Sequence, residues 1–281
     1  MSLVNVAITG ASGMIGKRLR QRLVEAGHTA HPIPRDGAVP VCDAIVNLAG
    51  EPIAQRWTEA ARKRIYDSRV EGMRQLVNTL SQKTPRPSVL VCASAVGIYG
   101  SRGDELLTED AAPGTGFLPR VVMDWEEAAQ SAEPLGIRVV SLRFGVVLGP
   151  GGALAKLLPL FRLGVGGRLG SGRQWMSWIH IDDVVSLILF AMENAAISGV
   201  LNATSPHPVT NEEFTRILAA ALHRPPLLPV PAFALKLTLG EMSQVLLDSQ
   251  RVLPAATQAA GFHFQYPDLP GALENILRPP Q

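Results

Sequence analysis

The sequence predicts an α/β fold with a doubly wound parallel sheet, and three observations support this fold class. The chain has 281 residues, of which 47% are apolar and 18% are charged, so it is long and apolar enough to bury a core. Short apolar runs alternate along it with segments of helical spacing. The runs are apolar at successive positions, and a parallel sheet covered by helices on both sides buries both faces of such strands.

The first strand, helix and second strand follow one another within 35 residues. Residues 3–9 form an apolar run that predicts a strand, and residues 14–26 have helical spacing with one apolar side. We expect Gly27 to end this helix. Residues 29–33 predict a second strand, which ends because Pro34 cannot continue it. Together these elements predict a βαβ unit.

The alternation of strand and helix continues through the middle of the chain. Further apolar runs predict strands over residues 44–49, 88–93 and 139–147. Helical spacing predicts helices over residues 58–80 and 124–132.

The composition changes after about residue 224. Residues 225–231 contain four prolines, which predicts an extended connector. Helical patterns follow over residues 232–239, 243–252 and 270–277. We therefore expect two domains: residues 1–224, with substrate-side insertions near 150–178 and 200–224, and a small C-terminal domain of residues 225–281.

Charge and cysteine content exclude several classes of partner. With 26 Lys and Arg against 24 Asp and Glu, the net charge of +2 is too small to hold a nucleic acid backbone. Cys42 and Cys92 stand 50 positions apart in apolar runs, which suggests neither a disulfide framework nor a metal site. No apolar run approaches the roughly 18 residues of a membrane span, and no signal-peptide pattern opens the chain. We expect a cytoplasmic protein without membrane or nucleic acid partners.

A glycine motif stands between the first predicted strand and the first predicted helix. Residues 10–16 read GASGMIG, a G-x-x-G-x-x-G pattern. Glycines at these places allow a sharp turn, close approach of a diphosphate to the backbone, and tight packing of helix on strand. The diphosphate would sit on the N-terminus of the helix, where free N–H groups and the helix dipole favour an anion. The alternative is a purely structural turn.

The residues after the second predicted strand bear on which nicotinamide dinucleotide is bound. Arg35 follows Pro34 directly, and a cation at this place accommodates the extra phosphate of NADP. Asp36, about 20 residues past Gly16, is instead the type of residue that accepts hydrogen bonds from the ribose of NAD. We favour NADP over NAD. The alternative for Arg35 is an ordinary surface arginine.

Several further motifs follow the predicted strands in a specific order. They are residues 47–50 (NLAG), 94–100 (SAVGIYG), 142–152 (LRFGVVLGPGG), 178–184 (WIHIDDV) and 208–214 (PVTNEEF). With the glycine turn, this ordered set resembles the extended short-chain dehydrogenase/reductase superfamily. Residues 67–69 (DSR), 124–126 (DWE) and 164–172 (GVGGRLGSG) resemble its atypical epimerase family, which is often labelled nucleoside-diphosphate-sugar epimerase.

The resemblance implies a Rossmann domain, a smaller mixed C-terminal domain on the substrate side, and a cofactor cleft. The implied phosphate contacts are Gly10, Ser12, Gly13, Met14, Ile15 and Gly16, with Arg35 at the adenosine end. The implied adenine and ribose wall is Leu48, Ala49 and Gly50. Ser94 would face the nicotinamide, and its carboxamide would be held by the backbone of Phe144, Gly145, Val146 and Val147. A small-molecule substrate would enter beside the smaller domain. Relatives pair through helices, so an oligomer is compatible with the family.

The proton-transfer pair of the superfamily is missing from the sequence. Short-chain reductases use a tyrosine four residues before a lysine, but the residues four beyond Tyr66, Tyr99 and Tyr266 are Val70, Gly103 and Pro270. The usual reduction or epimerisation mechanism therefore does not transfer directly.

Other groups are candidates for the vacant role. Tyr99 follows Ser94 by five residues and is either a proton donor or a packing aromatic. Arg69 either replaces the charge of the missing lysine or binds an anionic substrate, or it is an exposed helix arginine paired with Asp67 or Glu71. We interpret Glu126 and its neighbour Glu127 as a solvated helix face.

Two functions remain open from the sequence. The first is an NADP-dependent oxidoreductase or epimerase-like isomerase that acts on a small polar substrate, with a nucleotide sugar as one candidate, by hydride transfer at nicotinamide C4. In it, Ser94 would polarise the reacting carbonyl. The second is a non-catalytic NADP(H)-binding redox sensor that acts through a protein partner.

Overall fold

The computed structural model describes residues 4–34, 38–225 and 228–278, and its centre is a six-stranded parallel sheet. In chain order the strands are β1 Asn5–Thr9, β2 Thr29–Ile33, β3 Ala44–Asn47, β4 Val89–Ala95, β5 Leu106–Leu107, β6 Arg138–Phe144, β7 Val146–Leu148, β8 Trp175–Met176, β9 Trp178–His180, β10 Gly199–Ala203, β11 Val209–Thr210 and β12 Arg251–Val252. The central sheet has the order β2-β1-β3-β4-β6-β10. The predicted α/β class is confirmed.

Helices cover both faces of this sheet. They are α1 Met14–Glu25, α2 Glu59–Tyr66, α3 Gly72–Ser81, α4 Phe117–Gln130, α5 Gly152–Arg162, α6 Ile181–Glu193, α7 Asn211–Ala221, α8 Ala232–Leu239, α9 Gln244–Leu247, α10 Ala255–Ala259 and α11 Leu269–Leu277. Along β1, Val6 packs in one buried cluster with Leu19 of α1, whereas its neighbour Ala7 packs in another with Met73 of α3. Successive strand residues point to opposite faces, so both faces are buried, as the apolar runs predict.

The order in which strands are added to the sheet reverses at β1. β2 pairs with one side of β1 and β3 with the other, and all three strands are parallel. In an open α/β sheet, ligands bind outside the carboxyl ends of the strands at such a reversal. The fold therefore directs attention to the residues after Thr9 and Asn47, which are the last residues of β1 and β3.

Two predicted elements are interrupted. The helix predicted over residues 58–80 contains a π-helical segment, Asp67–Glu71, between α2 and α3. The strand predicted over residues 139–147 divides at Gly145, because β6 pairs within the central sheet whereas β7 pairs with β9. Tertiary pairing, which a local pattern does not carry, decides where the strand stops.

The helix predicted over residues 243–252 is wrong. Only Gln244–Leu247 is α-helical, and Arg251–Val252 pairs with β5. The chain leaves the helix because Ser249 and Gln250 bond elsewhere: Gln250 N donates to Trp175 O at 3.1 Å, and Trp175 N donates to Ser249 Oγ at 3.0 Å. The helix predicted over residues 124–132 begins earlier, at Phe117.

Both cysteines lie in the buried core. Cys42 and Cys92 are both buried free thiols. No cluster of three or more metal-ligating side chains occurs within the described ranges. Among the helices of the same ranges, none is long and apolar enough to cross a membrane.

Both thiols are expected to resist alkylation in the folded protein. Burial raises the pKa of Cys42 to about 11 and raises that of Cys92 as well. Because the thiolate is the reactive form, iodoacetamide at pH 8 should label the native protein at least about 100-fold more slowly than the urea-unfolded protein. Mass spectrometry of timed samples measures this ratio. Rapid native labelling of either cysteine would contradict the buried placement.

Candidate functional site

The glycine turn after β1 is pressed against the segment that follows β3. Gly10 has a φ of +66°, and a Cβ built on it would lie 2.6 Å from the carbonyl carbon of Leu48. A Cβ on Gly16 would lie 2.7 Å from the Cα of Ala11. These two glycines are therefore required by the fold itself, because backbone occupies the space of any side chain.

Gly13 is different, because the fold restricts it much less. Its φ of −70° and ψ of 171° suit any residue, and a Cβ would meet only Gly10 O, at 3.3 Å, which a small shift of that carbonyl would relieve. Gly13 is exposed and is the N-cap of α1. A side chain at this position would occupy the space in front of the helix N-terminus.

The N-terminus of α1 presents amide groups at the carboxyl edge of the sheet. Its first helical hydrogen bond runs from Lys17 N to Gly13 O at 2.9 Å, so the amides of Met14, Ile15 and Gly16 have no acceptor within the helix. Ser12 is exposed beside them, and Met14 and Ile15 are half-buried. This arrangement can bind an anion such as a diphosphate.

The end of β3 forms the neighbouring wall and is locked to β1. Thr9 Oγ1 donates to Asn47 Oδ1 and accepts a hydrogen bond from Ala49 N at 3.3 Å. Leu48 N donates to Thr9 O at 3.2 Å. Leu48, Ala49 and, next to them, Gly50 therefore lie beside the glycine turn, in the part of the cleft for which the family resemblance implied adenine and ribose contacts.

The segment from Phe144 to Val147 leaves the central sheet at the same edge. Gly145 N donates to Ala203 O at 3.2 Å and Val146 N to Ser177 O at 2.8 Å. Val147 pairs with Ile179 across β7 and β9, and Phe144 packs against the core. Since the amides of Gly145 and Val146 already bond to the protein, a bound carboxamide would have to use other groups of this segment.

Ser94 lies at the carboxyl end of β4, beside the buried ion pair of Glu126 and Arg143. Its hydroxyl donates to Glu126 Oε1. Arg143, opposite Ser94 on β6, donates to the same carboxylate through Nε at 2.9 Å and Nη2 at 2.8 Å. Burial alone lowers the pKa of Arg143, but Glu126 more than offsets this effect and the pKa is raised. The single hydroxyl proton of Ser94 is thus engaged in the hydrogen bond to the carboxylate.

Tyr99 belongs to the same network and is fully buried. Its hydroxyl accepts from Arg143 Nη1 at 2.9 Å and donates to Asn202 Oδ1 at 2.8 Å. Asn202 N in turn donates to Glu109 Oε1 at 2.9 Å. Burial raises the pKa of the Tyr99 phenol. The side chain packs in the interior as an aromatic, with both sides of its hydroxyl engaged.

The interpretation of Glu126 as a solvated side chain is wrong. It is 7% exposed, whereas Glu127 is exposed as expected. Glu126 follows Val122 by four residues and precedes Ala129 by three, and both of these are buried. That spacing places Glu126 on the buried face of α4, and it is the signal that sequence reasoning missed.

Arg69 is not the exposed helix arginine of the alternative interpretation. Asp67 pairs with Lys63 at 2.5 Å and Glu71 with Arg74 at 2.7 Å. Arg69 instead points inward from the π-helical segment, beside Gly50 and over the ring of Trp125 at 5.4 Å.

Not every implied contact can be located. Arg35, which the sequence predicts at the adenosine end, lies outside the described residues, as does Asp36. The choice between the two nicotinamide dinucleotides therefore rests on other observations.

A doubly wound parallel sheet with a glycine turn on the N-terminus of its first helix defines the dinucleotide-binding class of α/β proteins. Comparison with known proteins narrows this class. The profile of the NAD dependent epimerase/dehydratase family matches residues 37–203, and that of a domain of unknown function, DUF1731, matches residues 230–276. The chain belongs to the epimerase family.

Individual relatives match over nearly the whole chain. The Bacillus subtilis epimerase family protein YfhF is 38% identical and covers 98% of this chain and 98% of its own. The chloroplastic SDR39U1 homolog of Arabidopsis thaliana is 40% identical over 99% of this chain and 88% of its own. The crystal structure of human SDR39U1 with NADPH has a TM-score of 0.93 at 34% identity, covering 97% of this chain and 98% of that one.

Proposed function

We propose that this chain binds NADPH at the glycine turn and is an oxidoreductase or epimerase-like enzyme acting on a small polar substrate. NADPH supplies a hydride at nicotinamide C4 when it is bound. The residues present fit the group: the amides of Met14, Ile15 and Gly16 would hold its diphosphate, and Leu48 to Gly50 would line the adjoining wall.

One observation carries the proposal. Gly13 is exposed at the N-terminus of α1, its backbone angles suit any residue, and a Cβ would meet only Gly10 O, at 3.3 Å, a close contact that a small shift of this carbonyl would relieve. A glycine with so small a structural requirement, at an anion-binding helix N-terminus, is explained by a ligand that approaches the backbone closely. The human relative solved with NADPH, 34% identical over nearly the whole chain, supports NADPH as that ligand.

The hydrogen bonds of Ser94 and Tyr99 limit the use of either hydroxyl as a proton donor. The Ser94 hydroxyl donates to Glu126 and is therefore able to accept, but not to donate, a further hydrogen bond in this arrangement. Polarisation of a substrate carbonyl by Ser94 would require this hydroxyl to turn away from Glu126. Tyr99 would likewise have to leave Asn202. Neither hydroxyl can therefore donate a hydrogen bond to a substrate in the arrangement described, and the acid that completes the reaction is not assigned.

Gly13→Val is expected to abolish tight NADPH binding without unfolding the protein. The valine side chain would fill the space in front of the helix N-terminus and remove at least two hydrogen bonds to the diphosphate. Since such bonds to a charged group are worth about 1.5–3 kcal/mol each, the dissociation constant should rise by about 100-fold or more. Isothermal titration calorimetry with NADPH and with NADH measures the effect and the cofactor preference.

Gly271→Val provides the matched control. Gly271 lies exposed in α11 with no atom near its Cβ position and should leave NADPH affinity unchanged. Unaltered NADPH binding by a folded Gly13→Val variant, or absence of binding heat in the wild-type protein, would refute the proposal.

The second candidate function is a non-catalytic NADP(H)-binding sensor. It is favoured by the burial of both hydroxyls that could serve catalysis, at 3% exposure for Ser94 and 0% for Tyr99. A panel of carbonyl compounds and nucleotide sugars, followed by NADPH absorbance and product chromatography, separates the two functions. Turnover that falls in Ser94→Ala supports the enzyme, whereas tight binding without turnover supports the sensor.

A further inference from the structure

Arg69 carries its positive charge to the carboxyl edge of the sheet. Gly50 stands three residues past the end of β3, and a Cβ built on it would lie 3.1 Å from Nη2 of Arg69. The guanidinium therefore lies against the segment that follows β3, and a larger residue at position 50 would collide with it. On its other side lies the ring of Trp125, at 5.4 Å.

The hydrogen bonds of Arg69 do not neutralise this charge. Within the described ranges they all start from Nη1 and end on Glu51 O at 3.0 Å, Ile65 O at 3.3 Å and Ser68 Oγ at 3.5 Å. None of these acceptors is a carboxylate, and the donors on Nε and Nη2 are not used by them.

The surroundings of Arg69 favour an additional negative group. Burial lowers the pKa of its guanidinium to about 10, and the charge of Glu51 offsets only part of this. The indole Nε1 of Trp125 is buried without an acceptor in the part of the chain that the structure describes. The unused donors of this guanidinium are suited to an acceptor-only ligand.

The backbone around Arg69 departs from regular α-helical geometry. Asp67–Glu71 is a π-helical segment, which shifts the side chains after it relative to an uninterrupted α-helix. Single π-helical turns within α-helices occur frequently at functional sites. Here the segment turns Arg69 inward while Asp67 and Glu71, on either side of it, remain in surface ion pairs.

We propose that Arg69 binds an oxyanion of the substrate, so that the substrate of this cleft carries a carboxylate or a phosphate group. This inference rests on the proposed function, because it assigns Arg69 to the substrate part of the same cleft. The guanidinium fork would use its free donors in a paired contact with the two oxygens. The diphosphate of the cofactor is the other source of the same chemistry.

The test measures anion binding to the NADPH complex. Wild-type protein saturated with NADPH is titrated with sodium phosphate and, separately, with sodium malonate at constant ionic strength, by calorimetry and by tryptophan fluorescence. Of the two anions, one will bind the wild-type protein more tightly. Arg69→Gln should weaken the binding of that anion by about tenfold or more, since it removes a charged partner. Arg69→Lys keeps the charge without the fork and should give an intermediate loss.

Arg74→Gln is the matched control, because Arg74 lies one turn further along on the surface and pairs with Glu71. It should bind the anion as the wild type does. ADP-ribose is titrated into each variant to identify the source of the oxyanion. An equal loss of ADP-ribose affinity in Arg69→Gln would assign Arg69 to the cofactor diphosphate and overturn the proposal, as would absence of anion binding in the wild type. Anion binding that depends on Arg69 in a protein that binds no NADPH would instead refute only the proposed function.

Discussion

Glu126→Ala is expected to lower the free energy of unfolding by about 3–5 kcal/mol, because it breaks a buried ion pair and leaves one charge without its partner. Arg143 would lose the hydrogen bonds from Nε and Nη2 and remain buried at the centre of the protein. Ser94 would lose its acceptor at the same time. Urea denaturation followed by circular dichroism at pH 7.5 measures the change.

Two further variants separate this cause from a general effect on α4. Glu127→Ala removes the neighbouring exposed carboxylate and should change stability by less than about 0.5 kcal/mol. The double variant Glu126→Leu with Arg143→Met removes both charges, and it should recover most of the stability lost in Glu126→Ala. A Glu126→Ala protein as stable as the Glu127→Ala protein would show that the pair is not buried as described.

Elements bounded by local signals could be predicted from the sequence. The second strand was expected over residues 29–33 and is Thr29–Ile33, because Gly27 ends the preceding helix and Pro34 stops the strand. The extended connector predicted over residues 225–231 lies partly outside the described residues and stays a prediction. In contrast, the pairing of Arg251–Val252 with β5 depends on residues about 145 positions away, which no local pattern encodes.

The same distinction holds within the candidate site. The glycine turn could be predicted because a close approach of helix to strand requires glycines at fixed spacing in one short segment. The partners Glu126 and Arg143 lie on a helix and a strand separated by 17 positions, and only the fold brings them together. Arg69 could be singled out as a candidate from the sequence. Its inward direction and its contact with Gly50 could not, because Arg69 lies in a π-helical segment that the apolar pattern does not reveal.

Gly10→Ala is expected to destabilise the protein by about 2–5 kcal/mol, the sum of a left-handed backbone forced on a non-glycine residue and a steric overlap in a close-packed place. The φ of Gly10 is +66°, and the added methyl group would overlap the Leu48 carbonyl, which cannot move freely because Leu48 N bonds to Thr9 O. Thermal and urea denaturation of the protein without cofactor measure the effect, so that a loss of binding does not contribute.

Gly13→Ala makes the same chemical change three residues later. It should affect the stability of the protein little and the affinity for NADPH more. Its backbone is in the extended region, and the methyl group would need only a small adjustment of Gly10 O, so stability should fall by less than about 1 kcal/mol. Its effect should be seen instead in the affinity for NADPH. If Gly13→Ala unfolded the protein as readily as Gly10→Ala, the glycine at position 13 would be explained by the turn alone, and the main support for a bound diphosphate would be lost.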